Sequence, residues 1–347
     1  MKLIEAAVLV QTSQPLELKT ITHRELKKGQ VLVKILFSGI CRSQLMEVKG
    51  LRGEDKWLPH LLGHEGSGIV EQIGEGVKKV KVGDEVILTW IKGEGLEAEG
   101  AKYDSEDGLV INSGQVTTFS NYSVVSENRL ILKPNNLPFK EAILFGCALP
   151  TGGGMVLNEL NFNKNSKFIV LGLGGIGLSS LAMLMSLGIS DIIAIDISPK
   201  KLELVKSWGV KNVINSMEDN LEESIFDIFK EGADFCIESA GKVSTIEMGF
   251  SLLNKNRGEL LFASHPPEGE KISLSPHELI SGKKISGSWG GAIQPDEHIP
   301  LIYNKLLEAN FPLSTLLTKP YKLSHINEAL QDLEDGKVER PLISMDK

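Results

Sequence analysis

The chain has 347 residues, of which 41% are hydrophobic and 24% charged, and its formal net charge is −8. That length predicts two domains with a core each, and the composition is that of a globular protein. The acidic balance argues against nucleic acid or a membrane surface as a partner, and no apolar run approaches the ~20 residues of a membrane span.

The first run, MKLIEAAVLVQ, is interrupted by Glu5 and has neither a basic region nor a cleavage site, so it reads as a strand. Short β runs follow at VLVKILFSGIC (31–41), GSGIVEQIG (66–74) and VGDEVILTW (82–90). Punctuation at Gly74-Glu75-Gly76 and Val82-Gly83-Asp84 predicts tight turns in an antiparallel, barrel-like domain. From Ile91 to Gly114 the chain is acidic, glycine-rich and poor in large apolar groups. It reads as a solvated surface loop, with a lid or a subunit contact as the functional alternative. Strand-like sequence resumes from Phe119 to Val125, and a helical stretch near Glu141 leads through FGCALPTGGG into the next region.

Strands and helices then alternate, with strands expected at 168–171, 192–195, 210–215, 233–239, 258–264 and 284–288. That pattern predicts a parallel sheet with helices on both faces. The first of these strands runs straight into Gly172-Leu173-Gly174-Gly175-Ile176-Gly177 and a helix. This is the order that a dinucleotide pyrophosphate site needs. The first glycine permits the turn, the second lets backbone approach phosphate, and the third lets helix pack on strand. The helix N-terminus adds unpaired N–H groups and a positive dipole end. Glycine-rich turns also arise for structural reasons alone. Here Asp196, ending the next apolar run roughly 20 residues on, supplies the acid that binds ribose hydroxyls.

Ser198 as N-cap and Pro199 at the first helical position open the following helix, which leaves Asp196 free for the cofactor. A carboxylate there repels a 2′-phosphate, so NAD is expected rather than NADP. Beyond Trp289 a helix (IPLIYNKLLEAN) and a last strand (PLISM) complete the chain. It reads as a Rossmann domain, 149–288, inserted between residues 1–148 and 289–347 of another domain.

The three cysteines are far apart and fit no disulfide framework, so a reducing cytoplasm is the expected location. Cys236, in an apolar strand, reads as core. Taken singly, Cys41 and Cys147 would also be core residues and His64 a turn histidine. Together they make the Cys, His, Cys set that a catalytic zinc uses when it keeps a fourth position open. Thiolates with imidazole favour zinc over magnesium or calcium.

In this order, GICRS, GHEGSGIV, VGDEVI, TFSNYSVV, FGCALPTGGG and VLGLGGIGLS resemble the zinc-dependent medium-chain alcohol dehydrogenases. The likeness continues through HELISGKKISGSWGG to DGKVERPLIS. It implies an α/β chain: a Rossmann domain with a doubly wound parallel sheet, joined to a mostly β, GroES-like barrel domain. It further implies NAD and zinc as cofactors, an alcohol or carbonyl substrate, and a homodimer or homotetramer. Cys41, His64 and Cys147 are implied as ligands of the catalytic zinc, with Glu65 approaching the metal transiently. Ser43 is implied to accept the substrate's hydroxyl proton, made acidic by a Lewis-acidic zinc. Arg42 and Arg340 are implied to pair with the pyrophosphate, Lys201 to lie near the adenosine ribose, and Thr151 to pack on the nicotinamide. Trp90, Trp289 and His265 fall at the substrate pocket. His265 stands where relatives carry an apolar residue, and either meets a polar substrate group or points to solvent.

Three positions depart from the family pattern. Gln44 replaces an aspartate that orients the ligand histidine, and its carbonyl is expected to accept the imidazole N–H. Met46 replaces a histidine that carries the proton outward, so release falls to the cofactor ribose and water, or to Glu47 or His60. The segment 91–114 lacks the four cysteines of a structural zinc, which implies one zinc per chain. The leading function is a zinc- and NAD-dependent oxidoreductase that interconverts an alcohol with an aldehyde or ketone. The alternatives are a dehydrogenase of a sugar or functionalised metabolite and a redox-silent dinucleotide-binding protein.

Overall fold

The strand Gln30–Gly39 is the spine of the first structural unit. Successive side chains of a strand point to opposite faces. Val31, Val33 and Ile35 therefore enter one apolar core, while Leu32 between them enters another. On one side lies a closed barrel of Leu3–Leu9, Glu17–His23, Lys102–Ser105, Val110–Asn112 and His60–Leu61. On the other lies a sheet ordered Leu130–Leu132, Glu85–Thr89, Glu65–Ile73, Gln30–Gly39, Leu342–Ser344 and Pro320–Lys322. Tyr122–Ser126 pairs with Gln30–Gly39 outside that path. Gly68, in Glu65–Ile73, pairs with Ile35 of the spine strand, where a Cβ would lie 2.2 Å from the Lys34 carbonyl oxygen.

The computed structural model describes residues 2–217, 220–338 and 340–346. The chain divides into one unit of Met1–Cys147, Gln294–Pro300 and Pro312–Lys347, and a second of Ala148–Ile293 and Leu301–Phe311. The helix Pro295–Glu308 is thereby shared between them, which the sequence boundaries at 148 and 289 do not anticipate. No helix among the described residues is long and apolar enough to cross a membrane.

The second unit is a six-stranded, all-parallel sheet ordered Asn212–Asn215, Ile192–Asp196, Phe168–Leu171, Phe235–Glu238, Glu259–Phe262 and Lys284–Gly287. Numbered along the chain, that is the order 3-2-1-4-5-6 of a doubly wound dinucleotide fold, whose switch point lies beside the first strand. Phe168–Leu171 is buried along its whole length, as a central parallel strand must be. Cys236 is fully buried in this core.

One segment departs from its sequence reading. Residues 91–101 are the irregular, largely exposed stretch expected, but Lys102–Ser105 and Val110–Asn112 are barrel strands, with Tyr103 and Ile111 fully buried. The hairpin's inward residues are few and spaced by a turn, so composition hides the alternation. The Tyr103 hydroxyl accepts the Val124 N–H at 2.8 Å, and burial pushes its phenol up to about 12. Tyr103→Phe is expected to leave that N–H unsatisfied and to destabilise the protein by about 1–3 kcal/mol in urea unfolding. A loss below about 0.5 kcal/mol would mean the N–H finds another acceptor.

Candidate active site

Cys41 ends the loop after the spine strand and serves as N-cap of the helix Arg42–Val48. His64 stands between the short strand His60–Leu61 and the strand Glu65–Ile73. Cys147 follows the 3-10 turn Ile143–Gly146, which Thr89 pins by donating its hydroxyl to the Gly146 carbonyl at 2.8 Å. Three segments far apart in sequence thus bring two thiols and an imidazole within 4.8 Å of one another.

The electrostatics of the trio are those of a thiolate–imidazole site. The hydrogen bond from Cys147 pulls the Cys41 thiol well below its ordinary range, and His64 beside it acts the same way. Its partner moves oppositely: the bond to Cys41 favours the protonated Cys147, and burial adds to this. For His64, burial favours the neutral ring, but Cys41 outweighs it and the net direction is up. His64 Nε2 is buried and has no hydrogen-bond partner. Two convergent sulfurs and an orphaned ring nitrogen are a donor set that fits zinc with one position left open. Trp90 meets the His64 ring edge-on, with centroids 6.5 Å apart.

Glu65 is not a member of this cluster. Its carboxylate is fully buried and ion-paired with the buried guanidinium of Arg340. In the structure Arg340 holds one oxygen of this carboxylate, while Glu65 Oε1 and Arg340 Nε are buried without a hydrogen-bond partner. Arg42 is exposed in the first turn of its helix, and the buried Ser43 Oγ has no hydrogen-bond partner.

Gln44 also behaves differently from expectation. Its Oε1 accepts the Cys41 backbone N–H at 3.0 Å, closing a capping box, and it is the Nε2 amide that meets His64 Nδ1. Glu47 and His60, named as proton outlets, come together with Asp55, whose Oδ2 lies 2.8 Å from His60 Nε2. Asp55 had no signal in the sequence beyond being an acid five residues ahead of a histidine. Glu47 and His60 line a cavity of about 730 Å³, with Gln44, His64 and the exposed Trp57 on its walls.

In the second unit the glycine turn is built as the spacing predicts. Gly172 has φ +88°, and a Cβ on Gly177 would lie 1.9 Å from the Gly172 carbonyl oxygen. A Cβ on Gly174 would meet nothing within 4 Å, so the space at the start of the helix Gly175–Ser186 is open, as a bound pyrophosphate requires. Leu173 and Gly177 are buried, whereas Gly174, Gly175 and Ile176 are half-buried. Asp196 is not free, however. Its carboxylate accepts the Leu173 N–H at 2.6 Å and the Ser198 N–H at 2.9 Å, and Lys201 Nζ lies 3.7 Å away. Ser198 is the N-cap residue but makes no side-chain capping bond, and it is its own N–H that Asp196 accepts. Thr151, in the helix Ala148–Gly154, has a buried hydroxyl with no hydrogen-bond partner. His265 meets the exposed Trp289 edge-on at 5.8 Å.

Arg340→Met is expected to destabilise the protein by about 3–5 kcal/mol, because Glu65 is left as an uncompensated buried charge. The double variant Glu65→Gln, Arg340→Met is expected to recover most of that loss in the same denaturation measurement. Equal losses from single and double variants would show that the pair is not coupled.

The alcohol dehydrogenase GroES-like domain model matches residues 27–135, and the zinc-binding dehydrogenase model matches residues 175–304. The chain is 27% identical to the probable S-(hydroxymethyl)glutathione dehydrogenase 1 of Schizosaccharomyces pombe, covering 99% of this chain and 97% of that protein. It is 29% identical to alcohol dehydrogenase 6 of Peromyscus maniculatus, covering 96% and 95%. Among solved structures, benzyl alcohol dehydrogenase from Acinetobacter calcoaceticus superposes with a TM-score of 0.89 at 28% identity over both whole chains. An alcohol dehydrogenase zinc-binding domain protein from Burkholderia ambifaria gives 0.91 at 27%, again over both whole chains. The chain belongs to the zinc-dependent medium-chain alcohol dehydrogenase family.

Proposed function

We propose that the protein is an NAD-dependent dehydrogenase that interconverts an alcohol with its aldehyde or ketone at a zinc site formed by Cys41, His64 and Cys147. The observation that carries the reading is the convergence of those three ligand atoms within 4.8 Å. The open glycine turn, with Asp196 beside it, supports NAD. On this reading the first unit carries the metal and the second the dinucleotide, close to the division into 1–148 with 289–347 and 149–288. The absence of any cysteine in 91–114 supports one zinc per chain. Assembly as a homodimer or homotetramer in a reducing cytoplasm completes the proposal.

Zinc, when bound, supplies Lewis acidity that makes an alcohol O–H acidic near neutral pH. NAD, when bound, accepts the hydride. The protein's own groups do the rest. On this reading Ser43 takes the hydroxyl proton, which its buried and unpartnered Oγ supports. Met46 has no group to pass it on, so the proton would leave through the Glu47–Asp55–His60 cluster, or through water and the ribose that a bound cofactor would supply. Glu65, buried against Arg340, places a negative charge next to a metal ligand, and Arg42 offers its exposed guanidinium to a pyrophosphate. On this reading Lys201, beside Asp196, meets the adenosine ribose, and Thr151 packs on the nicotinamide; the proximity of Lys201 to Asp196 supports the first role.

A second reading, a functionalised alcohol such as a sugar derivative, is favoured by one observation. His265 sets a polar ring edge-on against the exposed Trp289, which would otherwise offer a purely apolar face. A screen of primary, secondary and polyol alcohols for NADH formation separates the two. The protein is expected to contain one zinc per chain by elemental analysis. Cys41→Ser is expected to lower turnover by more than the roughly 100-fold that loss of a supporting residue costs. Full turnover in that variant, or two zinc ions per chain, would overturn the respective claim.

A further inference from the structure

Gln44 faces two donors with one oxygen. The residue is almost fully buried, at 2% exposure, and occupies the third position of the helix Arg42–Val48. From there its Oε1 reaches back to the Cys41 N–H at 3.0 Å. A backbone N–H can only donate, so the oxygen is committed to it. The other end of a glutamine side chain is an NH₂, which also can only donate, and this end meets His64 Nδ1. The acceptor there must be a bare Nδ1 lone pair, which leaves the proton of a neutral ring on Nε2. Nε2 is the buried, unpartnered nitrogen that faces the two thiols.

A metal bound through Nε2 needs the opposite arrangement, with the proton on Nδ1 and an acceptor to receive it. A carboxylate at position 44 would serve both donors at once, one oxygen to Cys41 and one to His64. An amide serves one at a time. Resting on the zinc reading above, we infer that Gln44 is a positioning residue that holds the free His64 ring in the Nε2–H tautomer, so that metal binding requires the amide to turn over and to leave the Cys41 N–H without its acceptor. The site is therefore built for weaker and more readily reversed zinc binding than the same ligands would give behind a carboxylate. The conflict does not depend on which way the amide is drawn, because either orientation satisfies one donor and opposes the other.

The test has two arms. Gln44→Glu keeps the side chain's length and adds the second acceptor, and Gln44→Asp repeats the test with a shorter carboxylate should the glutamate variant not fold. Zinc affinity, measured by competition with a chromophoric chelator, is expected to rise about 10–100-fold in the carboxylate variants. A change below about threefold would overturn the inference. In the zinc-free protein, nitrogen-15 spectra of labelled histidine at alkaline pH, where the ring is neutral, are expected to show His64 as the Nε2–H tautomer. The carboxylate variants are expected to show the Nδ1–H tautomer. A merely structural role for Gln44 would not move that signature, and an Nδ1–H ring in the unaltered protein would overturn the inference directly. An Nε2–H ring in a chain that takes up no zinc in any form would support the proton placement and overturn the zinc reading instead.

Discussion

A carboxylate cannot sit in an apolar interior without a partner, and Glu65 sits there with no exposed surface at all. Its partner, Arg340, is 275 residues away in sequence and reaches it because the C-terminal strand Leu342–Ser344 pairs antiparallel with the spine strand. The Ile40 N–H donates to the Pro341 carbonyl at 3.0 Å, one residue before Cys41, so the tail clamps the loop that carries the first thiol. Glu65 itself follows His64, and a Cβ on Gly146, one residue before Cys147, would lie 2.7 Å from Glu65 Cβ. All three ligand candidates therefore abut one buried ion pair. The pair adds little net stability by the usual accounting, because desolvation offsets much of the attraction. Its effect is to fix register: three segments and the tail must all arrive for either charge to be satisfied.

Much of this was legible in the sequence, and the reason is local. The glycine turn is recognisable because each glycine answers a separate steric demand within six residues, and the parallel strands because full burial makes them continuous apolar runs. The ligand trio was legible only through the family likeness, since residues 41, 64 and 147 share no spacing rule. The illegible parts are those where the partner lies far along the chain. Nothing near Arg340 in the sequence says that its guanidinium meets Glu65. The hairpin of Lys102–Ser105 and Val110–Asn112 was hidden because seven residues of strand carry only two fully buried side chains, Tyr103 and Ile111.

Asp196 meets more partners than its sequence reading gives it. The residue is where a ribose-binding acid belongs, at the end of the second parallel strand. The sequence leaves it free on the ground that Ser198 can cap the next helix. In the structure the carboxylate organises its own surroundings, tying the Leu173 amide of the glycine turn to the Ser198 amide of the following helix. Each carboxylate oxygen has a further lone pair, so the ribose hydroxyls can be received without breaking either bond. On the proposed reading an acid there does two jobs, holding the turn in shape and reading the nucleotide. The two cannot be separated by replacing it with alanine.

Gln44 is the opposite case, a residue with two jobs and atoms for only one. Capping the helix Arg42–Val48 fixes Cys41, because the thiol's own residue is the N-cap. Orienting His64 fixes the ring. With an acidic residue these demands are met by equivalent oxygens, and first-ligand and second-ligand geometry reinforce each other. With glutamine they oppose each other, so whatever holds Cys41 in place works against the ring tautomer that a metal needs. The second parallel strand's acid and the first helix's amide thus mark the two ends of one rule. A buried polar side chain can coordinate several backbone and side-chain groups only when its count of acceptors matches the count of donors aimed at it.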